Sequence, residues 1–182
     1  IEMHALYLPC LVRAYELIAD ALSPTERARV QYGFLREAAA LYMDRRFDVG
    51  TRRWSRNMAL GCIGFALGDR ELVDRALDGE RGLRYHLGAC VNDDGLDGFA
   101  GWSSYALYTC TVLGEVAERA GLDLWHVACP DLTRCDGDHG PKSLKLLFDA
   151  NLHFTFPDFT QPYGWTPPIL TDELAACWSA YG

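Results

Sequence analysis

The chain has 182 residues, 49% hydrophobic and 23% charged, with a formal net charge of −8. That is the size and apolar content of one globular domain with a real core, so 1–182 reads as a single domain, and a disordered or low-complexity chain is excluded. No apolar run reaches the roughly eighteen residues of a transmembrane span, and an acidic total argues against broad phosphate neutralisation, so neither a membrane nor a nucleic acid is an expected partner.

Helical patterns follow one another along the chain. His4 to Leu22 places Leu11, Ala14, Tyr15, Ile18 and Leu22 on one apolar face. Ser23, Pro24 and Glu26 then form a start signal: a capping serine, proline at the first helical position and a glutamate three residues on from the cap. This second helix runs to about Arg45. A third, from about Trp54 to Leu67, is apolar almost all round through Met58, Leu60, Ile63, Phe65 and Ala66, which predicts burial, and Gly68 ends it. Asp69 to Leu77 reads as another helix and Arg81 to Ala89 as a shorter one, before a glycine-rich loop from Asp93 to Gly101.

Trp102 to Ala120 is the next long helical pattern, closed by Gly121, and the Asp- and Gly-rich stretch from Cys129 to Gly140 is a loop. A helix from about Pro141 to Ala150, an irregular proline-rich segment from Phe154 to Pro168 and a last helix from near Thr171 complete the chain. Strand signal is weak throughout. The pattern is all-α, helical hairpins joined by short turns, which fits an incomplete α/α toroid or a plain helical bundle. Seven cysteines with no C-x-x-C pair read mainly as buried, reduced small hydrophobes, with a Cys129–Cys135 bridge as the alternative for that pair.

The segment from Arg45 to Asn57 departs from the acidic background. Arg45, Arg46, Arg52, Arg53 and Arg56 gather around Trp54 and Asn57, against only Asp44 and Asp48. Guanidinium groups suit carboxylate or phosphate geometry, tryptophan offers an apolar face for a sugar ring, and asparagine donates to an oxygen. The plainer reading is a solvated helix start with an exposed tryptophan.

Several ordered motifs carry a resemblance. Ala14 to Asp20 followed by Leu22 to Arg29, Ala66-Leu67-Gly68-Asp69 before Glu71-Leu72-Val73, Lys142 to Lys145 followed by Phe148-Asp149-Ala150, then Phe156-Pro157-Asp158 and Glu173-Leu174-Ala175 together resemble the helical domain of heparinase II/III-like and alginate-lyase-like polysaccharide lyases. The resemblance implies an incomplete α/α toroid, a fragment or shortened relative of a longer lyase, and β-elimination on a uronate-containing acidic polysaccharide with no cofactor and no metal. In that chemistry the sugar carboxylate is neutralised, a tyrosine or histidine takes the C5 proton, and a donor protonates the departing O4.

Residue by residue, Asn57 matches the family asparagine that contacts the carboxylate, and Arg56 stands at the histidine position, where it pairs with an anion without titrating. Gly101 to Tyr108 keeps a Tyr-x-x-Tyr spacing through Tyr105 and Tyr108, with Ala106 in place of the family histidine. The resulting expectation is Tyr105 as base, Asn57 and Arg56 on the carboxylate, and Arg53, Trp54, Trp102, Tyr108 and His86 around the sugar. The alternative is a non-catalytic sugar-binding or interaction module on the same scaffold. A partial toroid also leaves apolar helix faces for a second domain or a homo-oligomer to cover.

Two acidic groups complete the candidates. Asp131, Asp136, Asp138 and His139 form an oxygen-rich stretch that lacks EF-hand spacing and reads as a solvated loop rather than a metal site. Asp93, Asp94 and Asp97 suit paired carboxylates for glycoside hydrolysis, and turn chemistry accounts for them equally well.

Overall fold

The computed structural model describes residues 2–44, 51–95, 103–132, 140–153 and 170–181. They are mostly helical, as the all-α reading expects: α1 (Glu2–Ile18), α2 (Pro24–Val30), α3 (Arg36–Asp44), α4 (Thr51–Leu67), α5 (Arg70–Leu77), α6 (Leu83–Cys90), α7 (Ser103–Arg119), α8 (Leu144–His153) and α9 (Leu170–Tyr181). A two-residue strand β1 (Ala128–Cys129) pairs antiparallel with β2 (Lys142–Ser143). The chain divides into two compact units, 1–82 and 83–182.

In the first unit the local signals act as the residues dictate. The Ser23 side chain accepts from the Glu26 amide while the Glu26 carboxylate accepts from the Ser23 amide, with Pro24 at the first helical position. Two donors that a helix start leaves unsatisfied are thereby met. A five-residue π-helical turn, Gln31–Leu35, joins α2 to α3, so the expected single helix carries one wide turn in its middle. Gly68 (φ +62°) ends α4, and the Asp69 carboxylate caps α5 by accepting from the Leu72 amide. Asp69 also takes a 2.7 Å ion pair from Arg36, and this hydrogen bond is the main reason its carboxyl is held below the usual range.

α4 is the hub of this unit, with α1, α3 and α5 packed on it. Met58, Leu60 and Ile63 are fully buried, each such side chain contributing about 1.5–3 kcal/mol from lost apolar surface. α5 approaches so closely that a Cβ on Gly64 would lie 2.9 Å from the Val73 backbone nitrogen. One expectation is corrected. The buried face of α1 is Leu8, Val12 and Tyr15, whereas Leu11 and Ile18 are 51% and 52% exposed. α1 is apolar on two sides, and periodicity alone does not say which side meets α4.

In the second unit α7, α8 and α9 pack on one another, and α6 packs against the small sheet. Gly121 (φ +79°) closes the end of α7, as expected. Leu107, Cys110, Leu113, Leu124, Leu147 and Phe148 form the core. The Tyr181 hydroxyl donates to the Trp125 carbonyl at 2.7 Å, and burial pushes its ionisation well above the usual tyrosine range. The expected loop from Cys129 begins instead with a strand residue, and the helix expected from Pro141 starts at Leu144 because Lys142 and Ser143 pair with β1.

Candidate functional site

The first turns of α4 hold an unusual run of buried polar side chains. Arg53, Ser55, Arg56 and Asn57 are all buried, and Asn57 is 0% exposed. Helical geometry cannot turn four near-consecutive residues to solvent once three neighbouring helices cover the cylinder, so these side chains are met from inside the unit. Trp54 lies among them at 1% exposed, so its ring is core and presents no face to a sugar. The solvated-helix alternative, with its exposed tryptophan, fails for the same reason. Arg52 is the exposed arginine of this turn; Arg45 and Arg46 lie outside the described residues.

Arg56 donates from Nε to the Tyr42 carbonyl at 2.7 Å. Its pKa is lowered, first by burial, then by the charges of Arg53 and of Arg75 on α5. Among the described residues no carboxylate pairs with it. A buried cation on which two further guanidinium charges act, as among these described residues, is a setting in which an anion is favoured, since Coulomb attraction grows as water is removed. Asn57 sends one amide N–H to the Arg81 carbonyl at 3.1 Å, and its Oδ1 is buried with no donor among the described residues. The carbonyl it holds belongs to a residue with a left-handed backbone (Arg81, φ +62°), so Asn57 also braces a strained turn. What remains open on its side chain is the second N–H, which suits a carboxylate oxygen, and the acceptor Oδ1, which suits a sugar hydroxyl.

The remaining expected site residues lie in the second unit. Tyr105 and Tyr108, three apart on α7, are half-buried on adjoining positions of one face. His86 is 0% exposed on α6, packed with its ring 5.9 Å from that of Tyr85. Trp102 lies outside the described residues, as do Asp97, Cys135, Asp136, Asp138 and His139.

Asp93 and Asp94 lie in a turn, as the turn reading expects, whereas the Asp131 side chain is buried rather than solvated. Asp93 and Asp131 each reach the same ammonium, that of Lys142, at 2.6 and 3.5 Å. A lysine shared between two carboxylates favours both in the ionised form, whereas glycoside hydrolysis needs one protonated acid. No group of three or more metal-binding side chains is found among the described residues, and none of their helices is long and apolar enough to cross a membrane.

No family model, no curated protein and no solved structure matches this chain. The site therefore rests on its own chemistry. Sequence reasoning missed Arg75 and Lys142, because only packing brings Arg75 toward Arg56 or buries Lys142. The single available signal was the surplus of arginine over acid near α4.

Proposed function

We propose that this chain is the helical part, an incomplete α/α toroid, of a heparinase II/III-like or alginate-lyase-like protein that cleaves uronate-containing polysaccharide by β-elimination. Two things support the reading: the ordered motifs quoted above, and the electrostatics of Arg56, which is the observation that carries it. A uronate carboxylate brought to Arg56 exchanges the repulsion of Arg53 and Arg75 for a charge-assisted hydrogen bond. Neutralising that carboxylate stabilises the carbanion left when the C5 proton departs; the C4=C5 double bond forms as the C4–O4 bond breaks, and the phenol that took the C5 proton returns it to O4.

The resemblance gives proton abstraction to Tyr105. An ordinary phenol has a pKa of about 10, so about one in a thousand is ionised at pH 7, and each unit of depression requires about 1.4 kcal/mol of preference for the phenolate. Trp54 takes no part in this reading, being core. Asn57 contributes through its second N–H and its Oδ1.

A second reading, a binding module without turnover, is favoured by the complete burial of Asn57 and by alanine at position 106, where the family has histidine. Ultraviolet absorbance over time with alginate, heparin-like, chondroitin-like and glucuronan polymers separates the two. β-Elimination leaves a conjugated unsaturated uronate, so absorbance rises, and the rise is lost in both Arg56→Met and Tyr105→Phe. Binding of a polymer with no absorbance change, lost only in Arg56→Met, selects the module. Absence of both binding and turnover with every polymer sinks the proposal.

A further inference from the structure

Lys142 is 1% exposed, a rare state for lysine, and it sits in β2 opposite Cys129 of β1. Its ammonium is met by Asp93, from the turn that follows α6, and by Asp131, two residues beyond β1. These two stretches are almost forty residues apart in sequence, and beyond Val91, which is 0% exposed, they bury little apolar surface of their own. Asn92, Asp94, Pro130 and Leu132 are all exposed, while Asp131 is 7% exposed in its side chain. The backbone fit is nevertheless tight. The Leu132 amide donates to the Gly88 carbonyl at 2.9 Å, and a Cβ on Gly88 would fall 2.4 Å from the Pro130 oxygen. At Gly95 (φ +82°) a Cβ would fall 2.5 Å from the Leu146 oxygen.

We infer that Lys142, Asp93 and Asp131 form an acid-released latch fastening the 91–95 turn and the 130–132 stretch to α6 and β2. Val91 anchors the start of the turn by burial, and the ion triad ties the polar residues that follow it, and those around Asp131, to β2. A buried ammonium is tolerated only while its carboxylates are charged. Protonating either one leaves Lys142 short of counter-charge in a place without water, and the way to rehydrate it is to release the two stretches that cover it. Each carboxylate therefore supports the latch when ionised, and the support is lost as pH falls. The other ionisable groups on the elements packed here are Arg84, Tyr85, His86 and Cys90 on α6, Cys129 on β1, Asp94 beside Asp93, and Lys145, Asp149 and His153 on α8. Lys145 and Asp149 are paired with each other at 2.6 Å. Imidazoles titrate near 6.5 and free carboxyls near 4, and a carboxylate held ionised by an ammonium loses its support below that free value, so the interval from pH 5.5 to 3 isolates the carboxylates.

Hydrogen exchange of the whole chain, corrected for intrinsic rates, tests this at two amides: Leu132, bonded to Gly88, and Gly95, bonded to the Asn92 carbonyl at 3.0 Å. Between pH 5.5 and 3 both are expected to lose protection by on the order of tenfold, the equivalent of about 1.4 kcal/mol of opening free energy, while the Ile63 amide, in the buried middle of α4, keeps its protection. Asp93→Asn is expected to show the raised exchange already at neutral pH. Lys142→Met, which fills the space without a charge, is expected to lack the acid response. Equal acid loss in wild type and Lys142→Met overturns the latch, as does unchanged exchange down to pH 3 or loss of protection at Ile63 over the same interval. Should Lys142→Met fail to fold, Asp93→Asn decides alone, and neutral-pH exchange equal to wild type overturns the inference.

Discussion

Arg56 and Lys142 are both buried cations, and they differ in what surrounds them. Lys142 has two carboxylates within reach, one at 2.6 Å. Arg56 has a backbone carbonyl and the fields of two further arginines. A cation that the fold has already neutralised is a structural device, and removing it leaves acids stranded. A cation held among its own kind carries a standing cost that a bound anion relieves, which is the property expected of a recognition residue. The same residue class, equally hidden from water, thus serves two purposes, and the neighbours decide which.

Substitutions can break that contrast, beginning with the largest effect. Lys142→Met is expected to cost about 2 kcal/mol in urea unfolding at neutral pH, below the 3–5 kcal/mol of fully buried pairs because Asp93 is 43% exposed. Asp69→Ala gives the intermediate case, a carboxylate that both caps α5 and pairs with Arg36. It is expected to cost about 1.5 kcal/mol. Because the folded state holds the Asp69 carboxyl below its usual range, that contribution is present above the ordinary carboxylate pKa and disappears as pH falls through the lowered one. Wild type and Asp69→Ala should therefore converge in strong acid.

Ser23→Ala removes an uncharged cap and is expected to cost about 1 kcal/mol. Arg56→Met comes last, within about 1 kcal/mol of wild type in either direction, since a lost hydrogen bond to Tyr42 is offset by relief of like-charge repulsion. Thermal melting with added uronate oligosaccharide sharpens the point, as a midpoint shift is expected in wild type and not in Arg56→Met. If Arg56→Met proves as damaging as Lys142→Met, the two cations are not of different kinds.

What was legible in the sequence was local. Ser23-Pro24 with Glu26 announced a capped helix start, Gly68 and Gly121 announced helix ends, and the continuous apolarity of Met58 to Ile63 announced a buried helix, because each depends only on neighbours along the chain. Choices made between elements were not legible. Nothing in α1 says that Leu8, Val12 and Tyr15 rather than Leu11 and Ile18 face α4. Trp54 and Arg53 carry no mark of burial, and Lys142 meets its two acids only because β1 and β2 pair. For the candidate site, the arginine surplus was visible, but the approach of Arg75 to Arg56 and the engagement of Asn57 with Arg81 are products of tertiary packing.

The π-helical turn at Gln31–Leu35 bears on how this stretch of sequence tolerates change in length. A π turn accommodates one residue more than an α turn over the same rise, so α2 and α3 are two α-helices separated by a single-residue insertion that the backbone has absorbed without breaking. Gly33 lies within that turn with nothing within 4 Å of where its Cβ would be. Removing Gly33 would close the turn to ordinary α geometry, leaving Leu35, Ala39 and Tyr42 in phase with one another, so a one-residue deletion here shortens the helix rather than scrambling its seam with α4.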